Sequence, residues 1–259
     1  MLKITSKDNK LIKSVKKLLD DKKYRDVTNL FIAESARVIE TLIKNKVAIR
    51  NLLVSVDSRY FARAKEYENQ GIDVVLLSNN IFNSLTTLSN SDGLIAVCNK
   101  PKNIFNFTPN GKYVVLDKIQ NPGNLGTIIR TAVGLNFDGV IISNDSVDIF
   151  NPTIIRSTMG ACFSIPIKIV TNLTDTIAQL KKLNIKVYGT ALNKTAKPLD
   201  QISFGSTSIA VLFGNEGNGL KDSDLKLCDE IIYIPISNKI DSLNVSIAVG
   251  IILYQICKQ

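Results

Sequence analysis

The chain has 259 residues and no histidine. That absence excludes a Ser-His-Asp triad, a Cys-His nucleophile pair and any histidine-ligated metal. A general base must then be a carboxylate, lysine, arginine, tyrosine or a group on the substrate. Cysteine is scarce: Cys98, Cys162, Cys228 and Cys257 stand far apart and form no C-x-x-C pair. This spacing fits neither a disulfide framework nor a zinc knuckle, so buried, reduced thiols in a cytoplasmic protein and no bound metal are expected. The opening MLKITSKDNK has no apolar signal core. The apolar stretch from Val245 to Cys257 is shorter than the roughly 20 residues a membrane span needs. Ser246 and Gln255 interrupt it, so it reads as a buried helix with no membrane role.

What is present is an ordinary globular composition, 45% hydrophobic and 21% charged, with a net charge of +9. The isoelectric point near 9.3 suits either contact with polyanions or simple solubility.

Two blocks are legible. Residues 1–99 alternate short apolar runs at 30–33, 50–56, 73–77 and 93–98 with helical stretches, a small α/β layer. Residues 8–20 place Leu11, Ile12, Val15, Leu18 and Leu19 on one helix face and Lys10, Lys13 and Lys17 on another. Lys22, Lys23 and Arg25 follow. Residues 100–112, KPKNIFNFTPNGK, lack periodicity and read as a linker. Residues 113–259 alternate strands and helices, which predicts a mostly parallel sheet covered on both faces. Ligands of such sheets sit in loops at the carboxyl ends of the strands.

Three stretches occupy such loops. NPGNLGTIIRTA, 121–132, follows the strand 113–117. A helix starting near Leu125 would have Asn124 as its N-cap and Arg130 on its polar face, beside Thr127, Thr131 and Gly134. LFGNEGNGL, 212–220, holds Gly214, Gly217 and Gly219, with Glu216 among them. Its spacing is G-x-x-G-x-G and not the dinucleotide fingerprint, and Glu216 would repel a pyrophosphate, so a ligand without phosphates fits better. IPISNKIDSLNVSIAVGIILYQ, 234–255, sets Ser242 and Asn244 where the last helix begins, with small residues Ser246, Ala248 and Gly250 behind them.

Together these stretches resemble the three motifs of the SpoU (TrmH) family of RNA ribose 2′-O-methyltransferases, in the SPOUT superfamily. Asn124 and Arg130 stand six apart before the R-T-A pattern; GNEGNGL matches G-x-E-x-x-G-L; IPISNKIDSLNVSIA matches the third motif, with Ile236 and Asn238 where methionine and glycine are usual. STMGACFSIPI, 157–167, is similar to a further family segment. SKDNKLIKSVKKLLDDKKYRDVTNLFIAESARVIE resembles the run that opens the family's ribosomal-protein-like RNA substrate-binding domain, with Ser35 in place of a glycine.

The resemblance implies an α/β methyltransferase domain with a deep trefoil knot, behind a smaller substrate-binding domain. It implies S-adenosyl-L-methionine bound by Leu192, Gly214, Gly219, Ile234, Ile236 and Leu243. It implies Arg130, Asn124, Glu216, Ser242 and Asn244 as the catalytic group, with Asn124 and Ser242 holding Arg130 and the RNA backbone. Arg130 would orient the ribose hydroxyl and stabilise its developing charge. The partners implied are a second copy of the chain, in which Arg130 approaches the other copy's cofactor, and RNA. Ribosomal RNA is favoured over tRNA, and Lys10, Lys13, Lys17, Lys22, Lys23 and Arg25 would grip its phosphates. Two other readings compete: a non-catalytic RNA-binding protein, which would not need the catalytic set, and a nucleotide enzyme, which Glu216 opposes.

Overall fold

A computed structural model describes residues 1–102, 105–205 and 208–258. Asn103 and Ile104, in the expected linker, lie outside the described residues. The chain divides into two compact units, Met1–Lys102 with Asp148–Phe163, and Asn103–Val147 with Ser164–Gln259.

In the first unit, β1 (Leu2–Ile4), β2 (Leu30–Glu34), β3 (Ile49–Ser55), β4 (Asp73–Leu77) and β5 (Leu94–Asn99) form one sheet ordered β1-β4-β3-β5-β2. β5 runs antiparallel to β2 and β3, and the other pairings are parallel. The helices are α1 (Lys10–Asp20), α2 (Lys22–Thr28), α3 (Ala36–Lys44), α4 (Ala64–Asn69) and α5 (Asn79–Asn83). Asn9 caps α1 by accepting from the Leu11 N–H, and Ile12, Val15 and Leu18 are buried. Burial of each is worth about 1.5–3 kcal/mol over leaving it exposed. Ser35 adopts φ 82°, in the left-handed region, which explains why a glycine is usual there.

The segment Asp148–Phe163 falls within the second sequence block yet packs in the first unit. It contains α7 (Pro152–Ser157). Phe31 packs between Phe150, at 5.3 Å, and Phe163, at 5.2 Å and near parallel. A Cβ on Gly160 would press on Thr41 of α3 at 3.0 Å. The family-like run 157–167 is thus a packing element over much of its length.

In the second unit, β6 (Lys112–Leu116), β7 (Gly139–Ser143), β8 (Ile167–Val170), β9 (Lys186–Thr190), β10 (Lys197–Pro198), β11 (Ile209–Phe213) and β12 (Glu230–Tyr233) form a sheet ordered β10-β12-β9-β11-β6-β7-β8. Every pairing in it is parallel. α6 (Pro122–Gly134), α8 (Leu173–Lys182), α9 (Asp222–Leu225) and α10 (Val245–Cys257) complete the unit. Strands such as Ile209–Phe213 and Gly139–Ser143 are buried throughout, as a sheet covered on both faces demands. Among the described residues no helix is long and apolar enough to cross a membrane, and no group of three metal-binding side chains occurs.

Candidate functional site

The loops after β9, β11 and β12 and the start of α10 enclose a cavity of about 540 Å³, within the range of ligand pockets. Leu192, Gly214, Gly219, Ile234, Ile236 and Leu243 all line it, as do Glu216, Ser242 and Asn244. The walls are apolar at Phe213, Ile232, Ile236, Leu243 and Ile252. Glu216 and Asp241 are charged, and among the described residues neither lysine nor arginine occurs in the lining.

The loop after β11 is shaped by its glycines. A Cβ on Gly214 would collide with the backbone of Gly219 and Leu220. Gly219 has φ 64° and donates its N–H to the Asn215 carbonyl at 3.0 Å. Gly214 is therefore required by the loop's approach to itself. Asn215, which sequence reasoning passed over, braces it further: its side-chain amide donates to the Lys118 carbonyl at 2.8 Å, and its oxygen accepts from Gly217 N–H.

α6 begins three residues earlier than its motif suggests. Asn121, not Asn124, is the N-cap: its side chain accepts from the Gly123 and Asn124 N–H groups, and Pro122 occupies the first turn. The signal was present, since proline is at home at the first helical position. Asn124 is thereby freed for another task. Its amide donates to Glu216 Oε1 at 3.0 Å, and its oxygen accepts from the Asn244 amide at 3.1 Å. The Asn244 oxygen caps α10 by accepting from the Ser246 N–H and hydroxyl. Glu216 also accepts from the Gln120 and Asn121 N–H groups. Burial alone would discourage ionisation of Glu216. The hydrogen bonds from Asn124 and these backbone groups outweigh it and hold the carboxyl below its ordinary range.

Glu216, Asn124 and Asn244, one from each motif, thus form one continuous chain. Arg130 does not join it. It sits exposed on α6 with no ion pair or hydrogen bond among the described residues, and it does not line the cavity of its own chain. Within the one chain Asn124 and Ser242 do not hold Arg130: Asn124 is occupied at both ends, and Ser242 makes no side-chain hydrogen bond among the described residues. Asn238 is not among the residues with a left-handed backbone, so the loop needs no glycine there.

In the first unit, Lys10, Lys13, Lys17, Lys22 and Lys23 are all exposed. Lys13 pairs with Asp8 and Lys22 with Asp26. Arg25 must be withdrawn as a phosphate contact. It is 3% exposed, its Nε donates to Asp148 at 2.9 Å, and its Nη1 donates to the carbonyls of Leu18 and Leu19.

Residues 111–254 match the model of the SpoU rRNA Methylase family, and residues 9–96 match that of the MRM3-like substrate binding domain. The chain is 34% identical over 256 residues to the 23S rRNA (guanosine(2553)-2'-O)-methyltransferase RlmP of Bacillus subtilis, covering 99% of both chains. It is 32% identical to the 23S rRNA (guanosine-2'-O-)-methyltransferase RlmB of Coxiella burnetii, over 78% of this chain and 84% of that one. An AdoMet-bound rRNA methyltransferase from Sinorhizobium meliloti superposes with a TM-score of 0.85 at 28% identity, covering 98% of this chain and 96% of that one. The motifs, the fold and these likenesses agree: the chain belongs to the SpoU rRNA methylase family.

Proposed function

We propose that the chain transfers a methyl group from S-adenosylmethionine to a ribose 2′-hydroxyl of RNA, ribosomal RNA in particular. The observation that carries this is the cavity beside the Glu216–Asn124–Asn244 chain. Its apolar walls suit a flat ring, and its two carboxylates with no lining cation suit a positively charged ligand without phosphates. S-adenosylmethionine is such a ligand, and when bound it supplies an electrophilic methyl on a sulfonium.

Leu192, Gly214, Gly219, Ile234, Ile236 and Leu243 hold the cofactor, largely through loop backbone. Asn124, Glu216 and Asn244 lock the three loops to one another, so the pocket is set before RNA arrives. The hydroxyl must lose its proton as the methyl arrives, and no histidine is available. Arg130 is a poor base, because a guanidinium stays protonated. Its role is to orient the hydroxyl and stabilise negative charge on the oxygen, with Ser242 at the pocket mouth as a contact for RNA.

Arg130 lies outside its own chain's pocket, which favours a homodimer in which it serves the pocket of the second copy. The surface of α10 supports that reading. Ile247, Ile251 and Tyr254 form an exposed apolar row, 54%, 40% and 54% accessible. A Cβ on Gly250 beside them would meet nothing within 4 Å, so its smallness serves no contact inside the chain. The trefoil knot belongs to the same proposal, supported by the family and by the loop 234–244 lining one pocket with the loop 214–219. Lys10, Lys13, Lys17, Lys22 and Lys23 bind RNA phosphates in a salt-sensitive way. Cys98 and Cys162 are buried as expected, whereas Cys228 is partly exposed and Cys257 exposed; the cytoplasm, where free thiols persist, is the proposed compartment.

The test is incubation with methyl-labelled S-adenosylmethionine and unmodified 23S rRNA or bulk tRNA. Label in ribosomal RNA alone supports the assignment. Label in tRNA alone overturns the choice of substrate.

A further inference from the structure

A second polar cavity, about 780 Å³, lies in the first unit where β3 and β4 end and β5 begins. Its floor is tied together by side-chain hydrogen bonds. The buried Ser55 hydroxyl donates to Asn79 Oδ1 at 2.6 Å, and the Asn79 amide donates to Asp57 Oδ2. Asp92 uses both carboxylate oxygens. Oδ2 accepts from the Ala36 N–H at 2.8 Å, and Oδ1 pairs with Arg59 at 3.0 Å. The Ser58 hydroxyl donates to the Asp92 carbonyl, and Gly93, at φ 80°, lets β5 start against Ser58. Arg59 lies over the Tyr60 ring at 5.1 Å with its side chain 71% exposed, so one guanidinium face is open.

The charges decide what fits. Arg59 is neutralised by Asp92, and Asp57 has no cationic partner among the described residues. The cavity is net negative and repels phosphate. It offers an acceptor, Asp57 Oδ1, beside the second amide hydrogen of Asn79, with a flat cation at the rim. Single-stranded RNA is read by splayed-out bases that stack on arginine planes and bond through their edges. Guanine presents two adjacent N–H donors next to a carbonyl, which Asp57 Oδ1, the second lone pair of Asp57 Oδ2 and the Asn79 amide match together, whereas uracil has one donor on that edge.

We propose that this cavity receives an unpaired nucleobase of the RNA substrate, guanine by preference, with Asp57 and Asn79 reading its edge and Arg59 stacking on its face. The inference rests on the RNA reading above. It gives the first unit a part in choosing the substrate that surface lysines alone cannot play, because phosphate contacts position RNA and base contacts specify it.

The test is fluorescence anisotropy with the full chain and short labelled RNA oligomers that cannot pair with themselves: a single G within a run of U, and all U. The G-containing oligomer should bind about tenfold tighter than the all-U oligomer, the scale of one bidentate base contact. In Asp57→Asn that ratio should fall to near one, with an unchanged thermal midpoint showing the fold intact. Asp57→Ser repeats the test should the first variant melt early. A ratio near one in the unaltered protein, or an unchanged ratio in both variants, overturns the cavity as a base site. No binding of any oligomer would instead overturn the RNA reading itself.

Discussion

Asn124 donates its side-chain amide to Glu216 Oε1 at 3.0 Å, across 92 residues of sequence. The contact joins the first motif to the second, and Asn244 extends it to the third. Asn124→Asp replaces that donor with an acceptor and sets two carboxylates together. Hydrogen bonds to a charged group are worth about 1.5–3 kcal/mol. Methyl transfer should therefore fall by roughly ten- to a hundredfold, measured as kcat/KM, with the thermal midpoint lowered as the loops separate.

The same contact makes a pH prediction. Glu216 is held below its ordinary value of 4.5 in the folded protein. A depressed carboxyl contributes stability that is fully present above the unfolded value and is lost as pH falls through the folded one. Urea midpoints should show wild type ahead of Glu216→Gln at neutral pH, with the gap closing below 4.5. A gap that stays constant through that range would mean the network does not depend on the charge.

Arg25 and Asp148 form a buried ion pair, with side chains 3% and 9% exposed. Removing one partner of such a pair leaves an uncompensated charge and costs about 3–5 kcal/mol. Arg25→Ala should show that loss in chemical denaturation. Lys23→Ala, on the exposed neighbour, should leave stability almost unchanged and weaken RNA binding with a shallower salt slope.

The apolar row on α10 predicts assembly. Ile251→Lys should yield monomers by sedimentation equilibrium and lose methyl transfer while keeping cofactor affinity. A monomeric variant of full activity would remove the need for Arg130 to reach a second copy.

The second unit was largely legible because its strands are near-continuous buried apolar runs, as β7 and β11 show. β1 escaped notice because three residues carry no period. α2 escaped because it buries an arginine where a helix usually buries an apolar side chain. Counting charge in sequence could not separate Arg25 from Lys23, since burial depends on Asp148, 123 residues away. The motif residues were legible as a set that would meet. Their wiring was not: starting the helix near Leu125 hid the true cap, Asn121, and misassigned Asn124. That Arg130 stands apart from its own chain's pocket agrees with the family resemblance, which had it approach the cofactor of a second copy.

The most direct test is nuclease digestion of RNA methylated by the protein, followed by mass spectrometry of the nucleosides, beside Arg130→Ala with its cofactor affinity measured by calorimetry. The account predicts a 2′-O-methylated nucleoside from the unaltered protein and none from the variant, which still binds S-adenosylmethionine with near-normal affinity. Methylation on a base, or ribose methylation that persists in Arg130→Ala, would contradict it.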